Sequence, residues 1–333
     1  MHLRTLGVTF AATAALVAGC ASNPSTTATD GAASQPSSGV VTGRTTLDGT
    51  HTFPEGIAFD PATGDAFVGS TSTGDIFRLR KGAPKAELLQ SGGSPGRQGA
   101  FGMKLDPGGR LWVAGGPNGT LAVVDTRTAA TMAVFKVAPG AQSFVNDLVV
   151  ARDGSVYATD SFRPVLYRAR LVDGAKEATL TPWLDLSTTA IRYVPNEINL
   201  NGIVISDDAR WLISVQLATG QLWRIDAQTG AVAEVRVPGG DLRNGDGLVL
   251  TSATDLVVIR NEQNQLVRIR LAADWSSGTV VGHYTDARLR YPTTAAVVPG
   301  GLMVVNAQLD KQKNPPPVLP FDVVNVALPA STR

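Results

Sequence analysis

A segment of about 45 residues recurs six times along the chain, and this repeat constrains the fold more than any other feature. The segments PEGIAFDPATGDAFVGSTSTGDIFRL (54–79) and LNGIVISDDARWLISVQLATGQLWRI (200–225) both contain two short apolar strands, then a Thr-Gly turn and a third strand. Four further segments, which begin near residues 100, 145, 245 and 292, follow the same plan. Short strands at a fixed period predict repeated four-stranded units rather than a single sandwich or barrel.

The repeat number predicts the architecture. A period near 45 with three or four strands is typical of one propeller blade, so six repeats predict an all-β, six-bladed β-propeller with a central channel over residues 42–333. The 35 glycines and 20 prolines supply the turns. Propellers usually close by pairing strands from the two ends of the chain, and the apolar candidates are residues 44–49 and 318–328.

The innermost strand of each blade lines the channel, so equivalent residues of the repeats should form one ring around it. Aligning the first strands places six residues in that ring: Glu55, Phe101, Asn146, Asn201, Asp246 and Thr293. Four of them, Glu55, Asn146, Asn201 and Asp246, carry two carboxylates and two amide carbonyls. Oxygen ligands of this kind predict one divalent cation, Ca²⁺ first, with Mg²⁺, Mn²⁺ or Zn²⁺ as alternatives.

The dipeptides that carry these residues have a second interpretation. Asn-Gly and Asp-Gly are the commonest turn dipeptides, so Asn201-Gly202 or Asp246-Gly247 alone indicates a turn rather than a ligand. The shared register of four oxygen-bearing residues favours the metal site.

Glu55-Gly56, Asn146-Asp147, Asn201-Gly202 and Asp246-Gly247 resemble the signatures of the regucalcin, gluconolactonase and luciferin-regenerating-enzyme family, also called the senescence marker protein family. The resemblance covers roughly residues 50–310. It implies a six-bladed propeller with one divalent cation, usually calcium, at the top of the channel. It also implies a lactonase or ester hydrolase whose ligands map onto Glu55, Asn146 or a neighbour, Asn201 and Asp246.

The chain departs from this family pattern at the channel mouth. Members that act on sugar lactones often carry Arg two residues before the blade-three Asn, where this chain has Phe144, and Phe101 adds an aromatic residue to the ring. A more apolar substrate is therefore expected. The fourth repeat is about ten residues longer, and its extra loop offers Arg192, Tyr193, Asn196, Glu197 and Asn199 as substrate contacts or as ordinary surface residues.

We therefore expect metal-dependent hydrolysis of a small-molecule lactone or related ester, with Asp246 as general base or as a ligand that positions water. The alternative is a non-catalytic propeller that binds a ligand or protein partner, because one fold supports many functions. A net charge of +1 gives no indication of nucleic-acid binding, and we expect a monomer. GGSPG (92–96) lies in a loop and lacks the strand and helix that flank a catalytic serine.

The first 41 residues predict export. Residues 1–19 contain Arg4 and a 13-residue apolar stretch from Leu6 to Ala18, which is typical of a signal peptide and too short to span a bilayer. Val17-Ala18-Gly19-Cys20 resembles a bacterial lipoprotein processing site. The resemblance implies that Cys20 is lipidated and that residues 20–41 tether the domain to a bacterial membrane. An ordinary signal peptide with a spare cysteine is the alternative.

Overall fold

Short strands between glycine-, proline- and aspartate-rich turns fold into six sheets, which form the blades of a β-propeller. The computed structural model describes residues 37–38, 40–93, 97–140, 142–172, 174 and 176–328. The expected signal peptide, Cys20, most of the expected tether and Ser94 lie outside these residues. The described residues contain almost no helix, so the expected all-β fold is confirmed.

The strands follow one another in the order of the blades. Two strands come first, β1 (Ser37–Ser38) and β2 (Val40–Leu47). Blade 1 contains β3 (Pro54–Phe59), β4 (Ala66–Ser70), β5 (Ile76–Leu79) and β6 (Glu87–Gln90). Blade 2 contains β7 (Met103–Leu105), β8 (Arg110–Ala114), β9 (Thr120–Asp125) and β10 (Thr131–Lys136). Blade 3 contains β11 (Val145–Val150), β12 (Ser155–Asp160) and β13 (Val165–Arg170). Next come β14 (Glu177–Thr179), which extends blade 2, and β15 (Thr181–Asp185), which completes blade 3.

The second half of the chain repeats this arrangement. Blade 4 contains β16 (Leu200–Ile205), β17 (Trp211–Gln216), β18 (Gln221–Asp226) and β19 (Val232–Val235). Blade 5 contains β20 (Gly245–Leu250), β21 (Asp255–Arg260), β22 (Gln265–Leu271) and β23 (Gly278–Thr285), with β1 at its edge. Blade 6 contains β24 (Pro292–Val298), β25 (Gly301–Asn306) and β26 (Phe321–Ala327), with β2 as its outer strand. Helical structure is confined to a 3₁₀ turn (Leu186–Thr188) and α1 (Asp310–Lys313) among the described residues, and no described helix has the length and apolarity needed to cross a membrane.

The hydrophobic core is divided among the six interfaces between neighbouring blades. In β21, Leu256 and Val258 pack toward blade 4, whereas Val257 and Ile259 pack toward blade 6. Both faces of a strand are therefore buried, which explains why the repeats contain continuous apolar runs instead of a strict apolar–polar alternation. This packing fixes the upper ends of the inner strands, where the ring residues lie.

The ring of blades closes in blade 6, where the two ends of the domain meet. Strand β2 pairs antiparallel with β26, with Arg44 opposite Val324 and Leu47 opposite Phe321. The buried Asp322 carboxylate accepts hydrogen bonds from Arg44, Arg290 and Asn306. The expected pairing of residues 44–49 with residues 318–328 is thereby confirmed.

Candidate metal centre and channel mouth

The ring residues lie in a β-bulge that recurs at the upper end of the inner strands. In β3, Pro54 pairs with Ser70 and Ile57 pairs with Val68, so three steps of the inner strand match two steps of its neighbour. The same shift occurs in four other inner strands, at 145–148, 200–203, 245–248 and 292–295. In blade 2 the equivalent residues precede β7, and Phe101 N donates to Ala114 O at 2.9 Å. A bulge redirects a side chain, and here it repeats around one axis.

The glycines that follow the ring residues are strand residues rather than turn residues. Gly56, Gly102, Gly202 and Gly247 all lack a positive φ. A Cβ at Gly56 would lie 2.1 Å from Phe101 O, and one at Gly202 would lie 2.4 Å from Asp246 O. Glycine is needed because the next inner strand approaches the backbone closely. The turn interpretation of Asn201-Gly202 and Asp246-Gly247 is therefore wrong.

Glu55 is a buried carboxylate whose bonding is incomplete. Its side chain is 5% exposed, and Oε2 has no hydrogen-bond partner. Burial raises the pKa of Glu55 well above its usual value, Asp246 and Asp147 raise it further, and Lys104 lowers it. An acceptor atom left without a donor in a dry site suits a cation, because a positive charge would offset the loss of water.

Asp246 is the ring member of blade 5 and is held by two asparagines. Its Oδ2 accepts from Asn261 Nδ2 at 3.1 Å, and Asn201 donates a second side-chain hydrogen bond. Burial raises the pKa of Asp246 to about 7, the two asparagines lower it, and Asp147 raises it. Ionisation of Asp246 thus makes ionisation of Glu55 less favourable, and the reverse also holds, unless a positive charge lies between them.

The remaining ring members differ in what they offer. Asn146 donates through Nδ2 to Ser161 Oγ at 2.8 Å, and its amide oxygen is the atom suited to a cation. Thr293 Oγ1 donates to Glu55 O at 2.9 Å, so this hydroxyl supports the backbone of blade 1. Phe101 contributes only an aromatic ring. The oxygen donors of the ring are therefore confined to Glu55, Asn146, Asn201 and Asp246.

A second charged pair in the channel was not anticipated from the sequence. Asp147 occupies the position that is glycine in four of the other repeats, and Lys104 is the only charged residue three positions after a ring member. Lys104 Nζ lies 3.3 Å from Asp147 Oδ1, and Asp147 Oδ2 accepts from Ile203 N at 3.3 Å. The signal was available: two neighbouring repeats depart from the common pattern with opposite charges.

The donor set fits a hard cation with mixed oxygen ligands. Among the described residues, no group of three or more His, Cys, Asp or Glu side chains is placed to hold a metal ion. The candidate site instead combines two carboxylates with two amides, and Lys104 already offsets the charge of Asp147. Such a set suits Ca²⁺ or another oxygen-preferring cation and disfavours a cysteine- or histidine-bound metal.

A segment of blade 6 covers part of the channel mouth. Residues 307–320 connect the upper ends of β25 and β26 and contain α1; we call this segment the strap. The Gln308 amide donates to Val318 O at 2.9 Å and accepts from Val318 N at 2.8 Å, which closes the base of the strap. Gln312 Nε2 reaches blade 1, where it donates to Thr71 Oγ1 at 3.2 Å and Ser72 Oγ at 3.3 Å.

The strap has a cavity on each side. The first, of about 660 Å³, is lined by Phe53, Phe101 and Phe144 and by Leu309 and Lys311 of the strap; we call it the aromatic cavity. Phe144 packs edge-on against Phe101, with ring centroids 4.9 Å apart, and against Phe162 at 5.6 Å. The aromatic wall of this cavity therefore includes Phe101, which is also one of the six residues of the channel ring.

The second cavity, of about 620 Å³, is lined by Glu262, Asn264, Arg290 and Tyr291 and by Asp310 and Lys313 of the strap; we call it the polar cavity. Tyr291 directly precedes β24, and its backbone adopts a positive φ of 48°. Burial raises the pKa of Tyr291 to about 12, and Asp246, Glu262 and Asp310 contribute. Tyr291 is thus a neutral hydroxyl donor, and it lies close enough to Asp246 for that carboxylate to raise its pKa.

The long loop before blade 4 lies over the upper end of blade 3. Tyr193 Oη donates to Asp160 O at 2.6 Å, and buried Asn199 accepts from Val194 N at 2.7 Å and donates to Glu197 O at 2.9 Å. Glu197 is exposed. Tyr193 and Asn199 therefore use their polar atoms to hold the loop, and the substrate contact expected of Tyr193, Glu197 and Asn199 stays a prediction.

Solved structures share this fold at low sequence identity. The major allergen Mala s 1 of Malassezia sympodialis matches with a TM-score of 0.63 and 13% identity, over 86% of this chain and 96% of that one. Virginiamycin B lyase of Staphylococcus aureus, solved with quinupristin as a catalytically inactive variant, matches with a TM-score of 0.54 and 12% identity, over 86% and 98%. A putative 6-phosphogluconolactonase of Bacteroides fragilis matches with a TM-score of 0.55 and 14% identity, over 76% of each chain. Similarity at this level shows the propeller fold alone.

Sequence comparison is more specific about the family. No curated protein sequence matches the chain significantly. The model of the SMP-30/Gluconolactonase/LRE-like region matches residues 53–285, which is more than half of the chain and includes Glu55, Asn146, Asn201 and Asp246. The chain therefore belongs to the SMP-30/gluconolactonase/LRE-like family, as the four dipeptide signatures predicted.

Proposed function

We propose that the protein hydrolyses a lactone or related ester at a divalent cation held by Glu55, Asn146, Asn201 and Asp246. The observation that carries this proposal is the pair of buried carboxylates in one ring, with Glu55 Oε2 lacking any hydrogen-bond donor. A purely structural channel has no need of two mutually destabilising carboxylates. We propose Ca²⁺ as the ion, with Mg²⁺, Mn²⁺ and Zn²⁺ as alternatives.

The chain's own residues would supply orientation and proton transfer. A bound cation would polarise the ester carbonyl as a Lewis acid. Asp246, held by Asn201 and Asn261, accepts a proton from a water molecule as the water oxygen bonds to the carbonyl carbon. The carbonyl carbon then loses its bond to the alkoxide oxygen, which takes up the proton. Hydrolysis of a lactone in this way yields one hydroxy acid.

The family and one fold neighbour support this choice of reaction class. Gluconolactonase is part of the family description, and a putative 6-phosphogluconolactonase shares the propeller. The second candidate is a ligand-binding protein without catalysis, and the apolar wall of Phe101 and Phe144 is the observation that favours it.

The direct test is a lactone-hydrolysis assay on the purified protein after removal of metal with a chelator and again after addition of Ca²⁺. We expect activity that is lost on chelation and restored by Ca²⁺, and a large loss in Glu55→Gln, which keeps the size of the side chain. Asp207→Asn is the control because this carboxylate is 79% exposed in a turn of blade 4. Activity that survives removal of all divalent metal, or full activity in Glu55→Gln, would contradict the proposal. Binding of lactones without hydrolysis would favour the second candidate.

We also propose that the domain is exported, tethered through a lipidated Cys20 to a bacterial membrane, and monomeric. Cys20→Ser should release the protein into the soluble fraction, with a mass that lacks the lipid. Unchanged membrane association and mass in this variant would show that the anchor is wrong. The melting temperature of the propeller should be the same in both proteins.

A further inference from the structure

We propose that the aromatic cavity binds an aryl or branched alkyl substituent of the substrate, so that the favoured substrate is a lactone or ester with a large apolar group beside the carbonyl. The inference rests on the proposed function for the identity of the reacting group. The apolar substituent is inferred from the aromatic cavity alone.

Position links the cavity to the ring. Phe101 belongs to both, because it is the ring member of blade 2, between Glu55 of blade 1 and Asn146 of blade 3. A substrate whose carbonyl meets the oxygen ligands can therefore extend over Phe101 into this cavity. The volume of about 660 Å³ is within the range of small-molecule sites.

Chemistry selects an apolar occupant. Three phenylalanines from three successive blades form one wall, and Leu309 lines the opposite side. The edge-to-face packing of Phe144 between Phe101 and Phe162 fixes the orientation of the rings, so little side-chain entropy is lost when a ligand binds. Among the described residues that line this cavity none is a carboxylate. Its basic residues are His51 and Lys311, and Lys311 lies 3.0 Å from the carboxylate of Asp310.

The strap completes the cavity from above. Gln312 joins it to Thr71 and Ser72 at the rim of blade 1, so Leu309, Lys311 and Gln312 of blade 6 face the phenylalanines of blades 1 to 3. This arrangement leaves the polar cavity on the other side of α1 for the polar part of the substrate.

The test uses two non-hydrolysable probes, δ-valerolactam and its 3-phenyl derivative, in which the ring is attached to the carbon beside the carbonyl, titrated calorimetrically into the full chain with Ca²⁺ present. We expect the phenyl compound to bind at least about tenfold more tightly, as burial of a ring of this size implies. Phe144→Ala and Phe101→Ala should each remove most of that preference, which is measured in each variant as the ratio of the affinities for the two lactams. Phe59→Ala is the matched control, because Phe59 is a half-buried phenylalanine at the opposite end of β3.

The corresponding lactones separate this inference from the proposed function. Equal affinity for both lactams, or a phenyl preference that survives both cavity variants, would overturn the inference even if both lactones are hydrolysed. A phenyl preference that depends on Phe101 and Phe144, without hydrolysis of either lactone, would support the cavity and overturn the proposed function.

Discussion

The two halves of the channel mouth share one backbone plan and differ in chemistry. Blades 1 to 3 present Phe53, Phe101 and Phe144 to the aromatic cavity, whereas blades 5 and 6 present Tyr291 and charged residues to the polar cavity. The inner strands on both sides carry the same bulge. Repetition therefore fixes where side chains point, and single residues at the bulge or two positions before it decide what each half can bind or do.

The largest expected effect is a difference in lactone hydrolysis between a variant on the polar side of the channel mouth and a variant on the aromatic side. Asp246→Asn keeps the size of the side chain but removes the base, so kcat/KM for a lactone should fall by about a hundredfold or more. Phe101→Ala, on the aromatic side, should reduce kcat/KM for an unsubstituted lactone only slightly. Steady-state kinetics of both variants on the same lactone measure the contrast. The comparison fails if Asp246→Asn keeps wild-type activity.

A second prediction concerns the charge beneath the aromatic half. Lys104→Met would leave Asp147 buried without its cation and should lower the free energy of unfolding by about 2 kcal/mol, an amount reduced by the partial exposure of Lys104. The double variant Lys104→Met/Asp147→Asn should recover at least half of this loss, because no unpaired charge remains. Urea denaturation of the chelated protein measures both. A single variant as stable as the wild type would show that the pair is solvated.

A third prediction is a pH dependence of stability, to which Asp246 on the polar side of the channel mouth contributes. The pKa of Asp246 is about 7 in the folded protein, and an unfolded aspartate has a pKa of about 3.9. The folded state therefore binds more protons between these values, and stability falls as pH rises from about 4 to about 7 and then levels off. We expect the melting temperature of the chelated protein to decrease from pH 5 to pH 7. The decrease should be weaker in Asp246→Asn, and an identical slope in both proteins would assign it to other groups.

The sequence predicts the repeated parts of this molecule and misses the parts that occur once. The period near 45 residues predicted six blades. The shared register predicted a ring of Glu55, Asn146, Asn201 and Asp246, because the bulge in these four blades keeps equivalent residues equivalent in space. The terminal strands that close blade 6 were also predicted, since both carry apolar runs.

The strap has no counterpart in other repeats, so no alignment within the chain could place it. The Lys104–Asp147 pair could be found only as a departure of two neighbouring repeats from the common pattern. Residues 307–320 contain three consecutive prolines and little apolar periodicity, and their position over the mouth depends on the contacts of Gln308 and Gln312. Asn199 lies in the long mouth loop, where the sequence predicted a substrate contact. Its amide holds the loop together, and the substrate contact stays a prediction.

Calcium-dependent thermal stability tests the central claim most directly, because it requires no knowledge of the substrate. A ligand that binds only the folded state stabilises it by about 2.7 kcal/mol at a hundredfold excess over Kd, which corresponds to a rise of several degrees in melting temperature. We predict this rise when Ca²⁺ is added to the chelated wild type, and a clearly smaller rise in Glu55→Gln and in Asp246→Asn, with Asp207→Asn unchanged. If no divalent cation alters the melting temperature of the wild type, the ring holds no metal and the account is contradicted.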